Sequence, residues 1–185
     1  MDGTDLIADA ARYTRLAHAG QVRRYTGLAY ISHPAEVAAL VERVSRDPVL
    51  IAAAWLHDVV EDTPATLLDL ALRFGLRVAR LVGEVTDVSR PADGNRARRK
   101  ALDRAYLAEA SRDGQTLKYA DLISNTAHIA AQDPAFAAVY LAEKEALMAV
   151  MTRGHPLLRD MARASLRDAR DTLERQAAVG KGATP

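Results

Sequence analysis

Every fifth residue of this chain is alanine, 37 of 185 positions. Alanine is the best helix former and has no branch at Cβ to favour a pleated surface, so such a chain folds as helices unless something local forbids it. Little does. Glycine and proline together supply only 17 residues, mostly where apolar periodicity lapses, and the β-branched and aromatic runs of strands are missing. The expected class is all-α. A length of 185 residues suits one domain with a substantial core rather than two.

The periodicity predicts a first helix from about Thr4 to Ala19, with Leu6, Ile7, Ala10, Tyr13 and Leu16 on one face and Gly20 closing it. A loop carrying Arg23, Arg24, Tyr25, Thr26 and Gly27 follows. Further helices are expected from Pro34 to Ser45, Pro48 to Val60, Thr66 to Phe74, Leu76 to Val88, Arg96 to Ser111, Gln115 to Ala130, Pro134 to Thr152 and Leu157 to Ala178. The reading is a single domain over residues 1–178 with a frayed tail over 179–185.

Lys and Arg total 25 against 24 Asp and Glu, a formal net charge of +1. That balance argues against nucleic acid or an anionic membrane as partner. No cysteine is present, which excludes disulfides, thiolate metal sites and Cys nucleophiles. No stretch approaches about 18 consecutive apolar residues, and the first five residues lack the basic start of a signal peptide. The expectation is a cytoplasmic protein; the oligomeric state stays open.

Chemistry concentrates in few places. His57-Asp58 ends the apolar run Leu50 to Leu56, and Glu61 and Asp62 follow four residues after each. If the helix persists one more turn, His57 and Glu61 share a face. Three carboxylates and an imidazole so close repel unless a cation lies among them, and such donors suit Mn, Fe, Zn or Mg. His33, fixed before Pro34, and Asp121, with Asn125 one turn later, are the candidates to complete the set.

The order His33, His57-Asp58, Asp121 resembles the HD superfamily of metal-dependent phosphohydrolases. The strings from Ala17 to Gly27, Tyr30 to Pro34, Leu56 to Thr63, Phe74-Gly75, Leu81 to Thr86, and Lys118 to Asp121 with Asn125 are similar to the RelA/SpoT-type hydrolase domain. The resemblance covers about residues 5 to 130 and implies a helical HD bundle acting as a stand-alone small alarmone hydrolase. It implies one Mn²⁺, or another divalent ion, on His33, His57, Asp58 and Asp121, with Glu61 and Asp62 orienting and deprotonating the attacking water. By the same resemblance Arg23 packs on the base, and Arg24, Arg96, Lys118 and Asn125 meet phosphate, sugar or base. His128 and Tyr140 are further substrate-facing candidates, Lys144 lies one turn beyond Tyr140, and His18 is read as structural or backing.

The implied substrate is a small purine nucleotide, (p)ppGpp or (p)ppApp, losing its 3′-diphosphate as pyrophosphate. Two alternatives stand beside it: an HD phosphatase for NADPH or a 5′-nucleotide, and a non-catalytic nucleotide sensor. Where relatives often have Glu-Pro before the Tyr-Ile pair, this chain has Leu28-Ala29, and Ala127-His128 replaces an Arg and a small polar residue. Leu28, Ala29 and Ala127 cannot read a purine edge through their side chains, which leans the expectation towards the adenine type.

Overall fold

The computed structural model describes residues 2–182. In chain order the α-helices are α1 (Gly3–Ala17), α2 (Ser32–Glu42), α3 (Pro48–Leu56), α4 (Val59–Asp62), α5 (Leu67–Phe74), α6 (Leu76–Val85), α7 (Arg96–Glu109), α8 (Arg112–Thr126), α9 (Ile129–Gln132), α10 (Pro134–Val150) and α11 (Pro156–Gly182). A short 3₁₀ turn, Pro91–Asp93, lies before α7. The described residues contain no strand, only one isolated bridge between Val22 and Ala29. The class expected from composition is the class observed.

Two helices organise the rest. In α3 the residues Leu50, Ile51, Ala52, Ala53, Ala54 and Leu56 are all buried, so it is apolar all round and sits inside a ring of α1, α2, α6 and α8. Asp47 caps its start by accepting the Val49 N–H at 2.9 Å, and Pro48 takes the first turn. Each buried Leu or Ile contributes roughly 1.5–3 kcal/mol, so α3 is an anchor that the other helices must accommodate.

The second organiser is α8, which packs on α2, α6 and α11. Its back is bonded to the turn between α10 and α11. Gln115 Oε1 accepts the Arg153 N–H at 2.7 Å, Thr116 Oγ1 accepts the His155 N–H at 2.9 Å, and the Tyr119 hydroxyl donates to the Met151 carbonyl. Gly154 makes that approach possible, because a Cβ there would collide with the Tyr119 ring and lie 2.9 Å from the Thr116 nitrogen.

Three expectations need correction. The helix read as continuous from Pro48 to Val60 ends at Leu56, and Asp58 starts the separate turn α4. The cause is local: the His57 imidazole takes the Ala54 carbonyl at 2.8 Å, which the Asp58 N–H would use in an unbroken helix. The helix read through Ala130 breaks at Ala127 and His128. The last helix, read from Leu157 to Ala178, spans Pro156–Gly182 as α11; residues 183–185 of the expected tail lie outside the described residues.

Candidate active site

The site forms where α2 and the α3–α4 junction face α8. His33 enters from the first turn of α2, His57 and Asp58 from the junction, and Asp121 from the middle of α8. His33, His57 and Asp121 are buried, at 2%, 2% and 4% exposure. The two Nε2 atoms are 3.2 Å apart. Asp58 lies 3.2 Å from each of them, through Oδ2 to His33 and Oδ1 to His57. Asp121 Oδ1 lies 3.3 Å from His33 Nε2 and 3.7 Å from His57 Nε2.

The outward nitrogens are committed elsewhere. His57 Nδ1 can only donate to the Ala54 carbonyl. His33 Nδ1 lies 2.9 Å from Ser124 Oγ, and that hydroxyl spends its one proton on Glu36 at 2.5 Å, so Nδ1–H donates to it. Both rings therefore turn Nε2 lone pairs towards two carboxylates. Donors alone cannot face each other at these distances without a positive charge among them. Two imidazoles and two carboxylates, each ring oriented by a second hydrogen bond, fit a divalent cation. His33, His57 and Asp58 form the compact group able to hold one.

Without an ion, protons fill that need. Burial opposes charge on the imidazoles, yet Asp121 and Asp58 raise His33, and Asp58 and Asp121 raise His57 to about 10. Burial likewise opposes charge on the carboxyls, but His57 and His33 hold Asp58 far down, and Lys118 with the imidazoles does so for Asp121.

The acidic pair sits on α4. Glu61 Oε1 accepts the Asp87 N–H at 2.7 Å, and Asp62 Oδ2 lies 3.0 Å from the Tyr30 hydroxyl, which shares its one proton between Asp62 and the nearer Asp58. Desolvation is the main cause that pushes the Glu61 carboxyl up, to about 7, against the pull of Lys118. By surface area the residue is exposed, and water limits the size of the rise rather than its direction.

A cavity of about 280 Å³ adjoins the centre, lined by Arg23, Arg24, Asn125, His128 and Tyr140 among others. The structure thus gathers most of the expected substrate-facing residues, with their polar ends already engaged. Arg23 donates to Glu36 at 2.8 Å and to the Ser124 carbonyl at 3.0 Å. Arg24 reaches Asp133 at 3.4 Å. Asn125 Nδ2 donates to Asp121 Oδ1 at 2.6 Å, and Lys118 Nζ lies 2.9 Å from Asp121 Oδ2. Arg96 makes a two-point pair with Glu143, at 2.7 and 2.8 Å, and lies over Phe136 rather than lining this cavity.

Sequence reading missed Tyr30, whose hydroxyl lies 2.5 Å from Asp58 Oδ2 as well as near Asp62, and whose ring stacks on His18. It also missed Glu36 and Ser124. For the latter two the available signal was spacing: Glu36 follows His33, and Ser124 follows Asp121, by the three residues that share a helix face.

Comparison with known proteins agrees with this geometry. The chain is similar to the human guanosine-3′,5′-bis(diphosphate) 3′-pyrophosphohydrolase, at 37% identity over 122 residues, 64% of this chain and 66% of that one. It is 42% identical over 106 residues to the enzyme of the same description from Spiroplasma citri, and 45% identical over 84 residues to the bifunctional (p)ppGpp synthase/hydrolase SpoT of Escherichia coli. Those matches cover 56% and 45% of this chain but span only 14% and 12% of those longer relatives. Among solved structures, a metazoan ortholog of SpoT described as hydrolysing ppGpp superposes with a TM-score of 0.78 at 26% identity, covering 88% of this chain and 94% of that one. A model of the HD domain matches residues 10–167, across the whole site, and the chain belongs to the HD domain family.

Proposed function

We propose that this chain is a Mn²⁺-dependent hydrolase that removes the 3′-diphosphate of purine alarmone nucleotides. The observation that carries the proposal is the convergence of His33, His57, Asp58 and Asp121 with Glu61 and Asp62 one turn away. Relatives whose names state this 3′-pyrophosphohydrolase activity support it.

When bound, the ion would polarise a phosphoryl oxygen and lower the pKa of water. His33, His57, Asp58 and Asp121 would hold it. Glu61 takes the proton of the attacking water, a role suited to a carboxyl raised towards neutrality. Asp62, fixed by Tyr30, orients that water. The water oxygen bonds to the phosphorus attached at the 3′ position, the bond from that phosphorus to the 3′ oxygen breaks, and the 3′ oxygen gains a proton. The products are pyrophosphate and a nucleotide with a free 3′-hydroxyl. Arg23 offers a planar cation on which a purine can stack while Glu36 and Ser124 hold it. Arg24, Arg96 and Lys118 supply positive charge for phosphates, and His128 and Tyr140 border the base or sugar.

The adenine nucleotide is expected to serve at least as well as the guanine one. Asn125 donates one N–H to Asp121, which leaves its carbonyl and its second N–H for a ligand, so it can serve either purine. The test incubates the protein with Mn²⁺ and matched adenine and guanine 3′-diphosphate nucleotides, then separates the products. Pyrophosphate release at comparable kcat/KM is expected. Orthophosphate release would point instead to a phosphatase of another nucleotide, and a guanine preference above ~100-fold would defeat the argument from Asn125.

A further inference from the structure

Residues of α7, α8 and α10, with Asp87, enclose a second, smaller cleft. It is lined by four cations, Lys100, Arg104, Lys118 and Lys144, and three carboxylates, Asp87, Asp103 and Glu143. Its internal space is about 20 Å³, enough for a water or a phosphoryl oxygen and too small for a base. Two residues tie it to the site already described. Lys118 lines the cleft and ion-pairs with Asp121 at 2.9 Å. Tyr140 lines the base cavity, and its ring carries the Lys144 ammonium at 5.2 Å.

Charge in this cleft does not balance residue by residue. Lys100 is paired with Asp87 at 2.5 Å and Asp103 at 3.3 Å, and Lys118 with Asp121. Glu143 is taken by Arg96. Asp103 also accepts the Ser89 N–H and hydroxyl, at 2.9 and 3.0 Å. Lys144 is left with no carboxylate within ion-pairing distance among the described residues, resting only on an aromatic face. Its ammonium also feels two like charges: burial first, then Lys118 and Lys100, bring its pKa down to about 8 against the opposing pull of Asp121 and Asp87. An anion would supply Lys144 with the partner that Lys100 and Lys118 already have, and the weak cation–π contact would yield to it.

We propose that this cleft is a phosphoanion site, in which Lys144 binds one oxygen of the terminal phosphoryl group of the departing 3′-diphosphate at the cleft mouth. The inference rests on the hydrolase reading above and adds to it a residue that specifies diphosphate over monophosphate. The leaving group fits better than the 5′-phosphates because the cleft abuts Asp121 on one side and, through Asp87, Glu61 on the other. The cations Arg23 and Arg24 flank the base cavity, across the site.

The probe is inorganic pyrophosphate against inorganic orthophosphate, titrated calorimetrically into the Mn²⁺-loaded protein at fixed free Mn²⁺. Wild type should prefer pyrophosphate. Lys144→Met should weaken pyrophosphate about tenfold, the size of one lost charge-assisted hydrogen bond, with orthophosphate affinity and Mn²⁺ content changed less than about threefold. Lys144→Arg should recover most of the loss. No pyrophosphate preference in wild type, or unchanged pyrophosphate affinity in folded Lys144→Met, overturns the inference. So does a Lys144→Met effect that depends only on the number of 5′-phosphates in the nucleotide. A wild type that hydrolyses none of the nucleotides but binds pyrophosphate through Lys144 would remove the proposed function and leave the anion site standing.

Discussion

At the centre of the site, His33, His57, Asp58 and Asp121 aim their polar atoms at one another across 3.2–3.7 Å, whereas further out Arg23 and Arg24, on the base cavity, and Arg96, over Phe136 beside it, each turn to a carboxylate of their own. In the ion-free centre the positive charge is protons on the imidazoles, and second hydrogen bonds fix the rings in place, so a cation can replace those protons without the centre moving. The rim has its positive charge already partnered. To meet a phosphate its arginines must exchange Glu143 or Asp133 for the ligand, and these half-exposed pairs cost little to open. Rigidity belongs to the ion and adaptability to the nucleotide.

The strongest challenge to that contrast is removal of a donor. His57→Ala and Asp58→Ala should each lose bound Mn²⁺ and all measurable turnover, by metal analysis and product chromatography; a variant that kept both would dissolve the centre as a unit. Next in size, Glu61→Gln should keep near-normal Mn²⁺ content and lose at least ~10²-fold in kcat. Loss of the ion in that variant would move Glu61 from the rim into the centre.

A smaller and more discriminating pair compares the two kinds of carboxylate partner. Glu36→Gln interrupts the relay from Arg23 through Ser124 to His33, and should weaken Mn²⁺ affinity by about 10–100-fold. Glu143→Gln frees Arg96, and should leave Mn²⁺ affinity alone while lowering KM by roughly two- to fivefold. Equal effects from both would mean that centre and rim are not distinct.

The smallest effect is thermal. His33 and His57 have folded-state pKa values above their unfolded ones, with His57 at about 10. Their protonation therefore stabilises the ion-free protein fully below about pH 6.5, and that contribution is lost as pH rises towards 10. The Mn²⁺-loaded centre carries the ion in place of those protons and escapes the loss. The gain in Tm on adding Mn²⁺ should then widen by a few degrees between about pH 6 and pH 8.5. A constant gain across that range would show that protons do not substitute for the ion.

The grouping of residues 33, 57, 58 and 121 was legible through the resemblance to the HD pattern, because residue type alone left His33 and Asp121 as two candidates among several. The helical class was legible from alanine alone. The break after Leu56 was not, because it comes from one imidazole competing with the backbone for the Ala54 carbonyl. Nor were the partners of the rim arginines, since Glu36, Ser124, Asp133 and Glu143 become neighbours only after the helices pack. Tyr30 was hidden for the same reason: beside a metal-type donor it reads as an ordinary loop aromatic until its hydroxyl is seen between Asp58 and Asp62.

The bonding of α8 to the turn at 151–155 makes that helix a lever. One face is fastened by Gln115, Thr116 and Tyr119, and the other carries Lys118, Asp121, Ser124 and Asn125. A helix moves as a rod, so a side chain forced in at Gly154 would displace all four together. Ion affinity would then fall in a protein whose site residues were all intact, and a survey confined to the neighbourhood of the ion would never find the cause.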